Sequence, residues 1–76
     1  MTALIDFIAR SLADDPDNVR VEMTEGDDVD TYELTMSQGD LGRVIGRQGR
    51  TARAMRAVLR AATAKQGRRA HLEILD

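Results

Sequence analysis

Leu41-Gly42-Arg43-Val44-Ile45-Gly46-Arg47-Gln48-Gly49-Arg50 is the stretch from which the rest of the chain can be read. Two glycines, Gly46 and Gly49, bracket Arg47 and Gln48. Residues 41–45 have the pattern of a short helical turn, which Asp40 or Ser37 can cap. From Arg50 to about Gln66 the pattern is a long amphipathic helix, closed by Gly67 as a C′ residue. Glycine permits positive φ and lets another backbone come close. The loop opens the long helix, whose first amides lack intrahelical partners and carry the positive end of the dipole. A phosphate can be held on such amides, with Arg47, Arg50 and Arg53 supplying charge around it.

Working outward, the long helix presents Ala52, Met55, Val58, Leu59 and Ala62 on one predicted apolar face. Arg53, Arg56 and Arg60 form a basic stripe beside it, and Ala54, Ala57, Ala61 and Ala64 fill the remaining arc. The stripe is either a solvated face or an extension of a phosphate track. The alanines are helix formers and also a smooth face that a second helix could approach. Upstream, Val19, Val21 and Met23 alternate with polar residues, as do Tyr32, Leu34 and Met36. This is the period of strands wet on one face, with Gly26-Asp27-Asp28 as the hairpin turn. Ala70, Leu72 and Ile74 alternate again near the end. The first segment, Thr2 to Ala13, reads as a helix with Leu4, Ile5, Ile8 and Leu12 on its stripe and Thr2 as its cap. Phe7 falls off that stripe, and Pro16 follows the helix end. The order is α-β-β-α-α-β. It predicts an α+β fold, a two-layer sandwich with a three-stranded mixed sheet, in one domain over residues 1–76.

Composition narrows the chemistry. Ordering 76 residues costs roughly 1.5 kcal/mol each, so a core this small has little to spare. The absence of cysteine excludes a disulfide scaffold, a Cys-ligated zinc site and a thiol nucleophile. The aspartates around 14–17 and 27–30 lack the spacing of a calcium loop and read as solvated turn residues. No metal and no cofactor are expected. His71 has no Cys, Ser or second His at a ligand or triad spacing. With no nucleophile, metal set or paired acid and base, the chain does not read as an enzyme, and no small-molecule substrate is expected. No stretch approaches the ~20 apolar residues of a membrane span. No basic residue precedes the apolar start, which argues against a secretory signal and for a cytoplasmic protein.

The net charge of −2 conceals a division. Residues 1–40 carry eleven acidic side chains against Arg10 and Arg20, a net −9. Residues 41–71 carry nine basic ones and no acid, a net +9. Binding follows the local field and not the sum, so the second half suits a nucleic acid. A dipolar domain that pairs head to tail with a copy of itself fits the same division. Two other phosphate loops are excluded by spacing. A Walker loop ending at Gly49 needs glycine at position 44 and lysine at position 50, where Val44 and Arg50 stand. A dinucleotide fingerprint does not fit glycines at 42, 46 and 49.

Val44-Ile45-Gly46-Arg47-Gln48-Gly49 followed by the long helix resembles the signature of a KH domain, and the element order resembles the type II arrangement. The stretch Ile45 to Leu59, in a chain of this size, is similar to the small bacterial KhpA-type RNA-binding family. It departs from the broad KH pattern at Ala52 and Met55, which stand where that pattern has bulky β-branched residues. The resemblance implies that Gly46, Arg47, Gln48 and Gly49 clamp the backbone of about four nucleotides of single-stranded RNA. Arg43, Arg50 and Arg53 are expected beside that clamp, and Leu41, Val44 and Ile45 are expected to line an apolar groove for the bases. The resemblance further implies a homodimer, or a heterodimer with a second, larger KH-containing protein of KhpB type. RNA-chaperone activity and a role in cell-wall homeostasis and cell length come with it. Phe7 and Tyr32 are the only aromatics, so there is no stacking platform of the RRM or OB kind. Two other readings remain beside this one: a protein–protein interaction module built on the opposed charges, and a helix-turn-helix DNA-binding domain with Arg50–Gln66 as its reading helix.

Overall fold

Alternating branched and polar residues build the sheet on which everything else rests. In the computed structural model, which describes residues 1–75, strands β1 (Arg20–Glu25), β2 (Val29–Thr35) and β3 (Arg69–Leu75) lie in the order β1-β2-β3. β1 and β2 are antiparallel, while β2 and β3 are parallel. Helices α1 (Thr2–Leu12), α2 (Leu41–Ile45) and α3 (Arg50–Ala64) complete the α-β-β-α-α-β order. The α+β class and the mixed three-stranded sheet are as the sequence predicts.

Cross-strand rows make the core. Val21, Leu34 and Ile74 stand opposite one another, and so do Met23, Tyr32 and Leu72. Leu34, Leu72, Leu59 and Val44 are fully enclosed, each contributing about 1.5–3 kcal/mol through burial. Tyr32 is a core residue, and burial, with the Asp30 charge second, pushes its phenol above its ordinary value.

Several sequence expectations are corrected. Met23 lies on the core face of β1 but is 45% exposed. α1 runs back along β1, with Arg10 bonded to Val19 O and Thr2 beside Val21, so the helix begins before it can cover Met23. Thr2 makes no capping bond, and Met1 occupies the cap position. Ala9, not Leu4, joins Ile5 in the buried stripe of α1, while Phe7 is 69% exposed. In α3 the buried face is Ala52, Met55, Leu59 and Thr63; Val58 falls on its shoulder and is exposed. Thr63 is tolerated there because its hydroxyl donates to Leu59 O at 2.9 Å. Ala52 and Met55, the two departures from the KH pattern, therefore face the interior. The regular turns of α3 run to Ala64, and its end is a Schellman motif with Gly67 as the C′ residue, as the sequence predicts. Gly67 has φ +70°, its N–H donates to Ala64 O, and Arg68 N–H donates to Thr63 O.

Asp30 is not a solvated turn residue. It is buried, in phase with Tyr32 and Leu34, and Arg68 grips it with two hydrogen bonds of 2.6 and 3.0 Å. Arg68 also donates to Gly26 O at 2.9 Å, which clasps the β1–β2 hairpin to the start of β3. That hydrogen-bonded guanidinium holds the Asp30 carboxyl below the usual aspartate value. No helix among the described residues is long and apolar enough to cross a membrane.

Candidate nucleic-acid interface

α2 is only five residues long and delivers the chain straight into the loop. Gly46 N–H closes the last bond of α2 on Gly42 O at 2.9 Å. Gly46 then leaves the helix with φ +76° and ψ 170°, a conformation nearly exclusive to glycine. Arg47–Gly49 form a single 3-10 turn, tied by Gly49 N–H to Gly46 O at 3.0 Å. Gln48 is the only non-glycine with positive φ (57°) among the described residues, and Gly49 follows at φ +74° and ψ 16°. Arg50 then enters α3.

The two glycines differ in what surrounds them. A Cβ on Gly46 would overlap Thr51 Oγ1 and lie 2.9 Å from both Thr51 Cβ and Thr51 N. A Cβ on Gly49 would meet only Arg53 Nη1, at 3.6 Å. The first glycine is thus required by close packing of the loop against the first turn of α3, and the second by its dihedral alone. Thr51 is a participant that sequence reading missed, since nothing in a lone sequence marks which side chain a glycine packs against. The same distance shows Arg53 folded back over the loop.

Charge gathers here without compensation. Arg47, Arg50 and Arg53 are exposed, and none forms an ion pair among the described residues. No side chain caps the start of α3. The open glycine backbone, the uncapped helix start and three unpaired guanidinium groups together can hold a polyanion.

The other expected residues are placed unequally. Ile45 is 41% exposed beside the loop, and Leu41 is half-buried against the core. Val44 is fully enclosed, so it supports α2 from beneath and offers no surface to a base. Arg43 points away from the loop's open charge, paired with Asp14 at 2.9 Å and near Asp40 at 3.7 Å. Of the basic stripe, Arg56 donates to Leu72 O at 3.2 and 3.3 Å and ties α3 to the edge strand β3, while Arg60 is exposed and unpaired among the described residues. His71 is exposed on the outer sheet face, 3.4 Å from Glu73. No group of three or more His, Asp or Glu side chains suited to a metal ion occurs among the described residues.

Asp40 occupies the cap position of α2 but caps nothing. Its carboxylate instead accepts the backbone N–H groups of Asp14 and Asp15, each at 3.0 Å. Ser37 extends the same seam with a 2.7 Å hydrogen bond to Asp15. That bond, with one from Asn18, holds the Asp15 carboxyl below its usual value.

Comparison with known proteins finds one matching family and relatives similar along nearly the whole chain. The family described as KhpA/KhpB, KH domain, matches residues 2–74. A protein named RNA-binding protein KhpA from Borreliella burgdorferi is 51% identical over 73 residues, covering 96% of this chain and 89% of the relative. Its namesake from Halalkalibacterium halodurans is 49% identical over 78 residues and the full length of both chains. One from Chlamydia trachomatis is 33% identical over 76 residues, all of this chain and 97% of the relative.

Proposed function

The chain belongs to the KhpA/KhpB family of KH domains, and from that membership we propose that it is a non-enzymatic RNA-binding protein that holds single-stranded RNA at the Gly46–Gly49 loop. One observation carries the reading: a loop with three positive-φ residues opens an uncapped helix and is ringed by Arg47, Arg50 and Arg53, none of them neutralised. In this mechanism the phosphates of a few consecutive nucleotides pass over the Gly46–Gly49 loop, where at Gly49 no Cβ stands between them and the backbone. Arg47, Arg50 and Arg53 neutralise the strand, and Arg60 extends the charge along α3. Ile45 and the rim of Leu41 give the bases an apolar contact, while Val44 only braces the helix beneath them. The separation of acid into the first half of the chain leaves the RNA face positive and repels the strand elsewhere.

The finer parts of the reading rest on family membership and on composition. The protein acts in the cytoplasm as one domain spanning residues 1–76. It works as a homodimer, or with a second KH-containing protein of KhpB type, as an RNA chaperone linked to cell-wall homeostasis and cell length. A small core that gains from further burial supports self-association.

The test is the double substitution Arg47→Asp with Gln48→Asp. Both side chains are exposed, so stability changes little. One cation is lost and two anions face the phosphates at the helix start, each worth up to about 1 kcal/mol or more at short range. Single-stranded RNA affinity, followed by fluorescence anisotropy, falls at least about tenfold while the melting temperature holds. Parental binding by a well-folded double variant refutes the site. Competition with duplex DNA in the same assay separates this reading from a helix-turn-helix one.

A further inference from the structure

The loop has to be held still from both sides, and only one side is obvious. On the α3 side, Thr51 packs against Gly46 and Val44 is locked into the core. On the other side, α2 has five residues, or roughly 7 Å at ~1.5 Å per residue, too few to hold a direction by its own hydrogen bonds. Its first end is fastened by Asp40, which is 4% exposed and is the residue immediately before α2. The carboxylate takes the N–H of Asp14 and the N–H of Asp15, the two residues that follow the end of α1. Arg43, one turn on, reaches back to Asp14 at 2.9 Å. Both oxygens of Asp40 are thus spent on backbone that lies elsewhere in the fold.

We infer that Asp40 is a positioning residue for the RNA clamp: it pins the start of α2 to the α1–β1 connection and so fixes where Gly46–Gly49 stands. The inference rests on the RNA reading of that loop. Its logic is that of a lever. Val44 is the buried fulcrum, Asp40 lies on one side of it and Gly46 on the other. Releasing Asp40 lets α2 tilt about Val44 and carries the loop with it. Recognition constellations need their groups held within about 0.5 Å, a tolerance such a tilt exceeds. Asp40 touches no RNA in this account.

Asp40→Asn tests it. The substitution keeps the volume and one acceptor oxygen, but sets an NH2 donor against one of the two backbone N–H donors. RNA affinity measured well below the melting transition falls roughly tenfold, because the free variant relaxes away from the unpaired amide and binding must restore the pinned geometry against it. Amide exchange at Gly46 and Gly49, whose N–H groups are bonded to Gly42 O and Gly46 O, quickens, while Tyr32 and Leu34 in the central strand keep their protection apart from any global change. Ile5→Ala, a core truncation at the far end of α1, serves as the destabilised control. It keeps parental RNA affinity and loop protection. Asp40→Asn binding RNA like the parent overturns the inference, as does an equal loss of affinity in Ile5→Ala. The Arg47→Asp, Gln48→Asp double variant, run alongside, keeps the two readings apart. If it binds normally, the loop is not the RNA site and the role of Asp40 falls with it. If it fails to bind while Asp40→Asn binds like the parent, the site stands and only the positioning role is lost.

Discussion

Replacing each loop glycine by alanine separates two physical demands that a sequence motif merges. At Gly46, φ +76° and ψ 170° put an L-residue in a region costing about 1–3 kcal/mol. The new Cβ also meets Thr51 Oγ1 and stands 2.9 Å from the Thr51 backbone nitrogen, which cannot rotate away. Overpacking of that kind adds about 1–3 kcal/mol. Alanine returns about 0.4–1 kcal/mol by restricting the unfolded chain, leaving a net loss of about 3 kcal/mol. At Gly49 the left-handed dihedral costs about 1–2 kcal/mol, and the only neighbour is the mobile end of Arg53 at 3.6 Å. After the same entropic return, Gly49→Ala loses about 1 kcal/mol. For a domain of this size 1 kcal/mol moves Tm by roughly 4–8 °C, so Gly46→Ala melts some 10 °C or more below Gly49→Ala. Urea unfolding gives the free energies and scanning calorimetry the midpoints. Equal losses, or a larger loss at Gly49, would show that Thr51 does not enforce the first glycine.

Two further outcomes follow from the charges. The Asp30 carboxyl is held below its unfolded value by Arg68, so the pair stabilises the fold above the ordinary aspartate value of about 3.9, and this advantage fades as pH falls through the lowered native value. Asp30→Asn should therefore lower the urea midpoint at pH 7, by a margin that narrows as pH falls below the ordinary aspartate value toward the lowered native one; a gap that persists unchanged in acid contradicts the assignment. For RNA, neutralisation of three phosphates by Arg47, Arg50 and Arg53 gives a slope of log K against log salt near −2, at about 0.7 per phosphate on a single strand. Arg53→Ala should flatten that slope by about 0.7, and an unaltered slope removes Arg53 from the interface.

Periodicity made most of the sheet and the two long helices legible, because alternation and the 3.6-residue repeat report directly on which side of an element is dry. The Gly46–Gly49 loop was legible for a similar reason: only glycine adopts its dihedrals freely, so the residue type records the backbone. The Asp30 signal was also present, since that residue continues the alternation of Tyr32 and Leu34 toward the hairpin. A run of aspartates reads as a wet turn until Arg68, 38 residues later, is brought beside it.

Other features existed only once the chain had folded. Whether Arg43 or Arg53 is free for a polyanion depends on where Asp14 and Asp40 come to rest, and the sequence spaces Asp14 from Arg43 by 29 residues. Val44 and Ile45 are equally apolar neighbours, yet one is enclosed and the other exposed, because the direction of a helix of five residues is set by what it packs against. Asp40 carries a capping residue's identity at a capping position and does different work, since the backbone donors it meets come from another part of the fold. Local chemistry determined which residues form the elements and the loop. Long-range contact decided which charges stay open and what holds the loop in place, because hydrogen bonds and ion pairs are settled by distance in space and not along the chain.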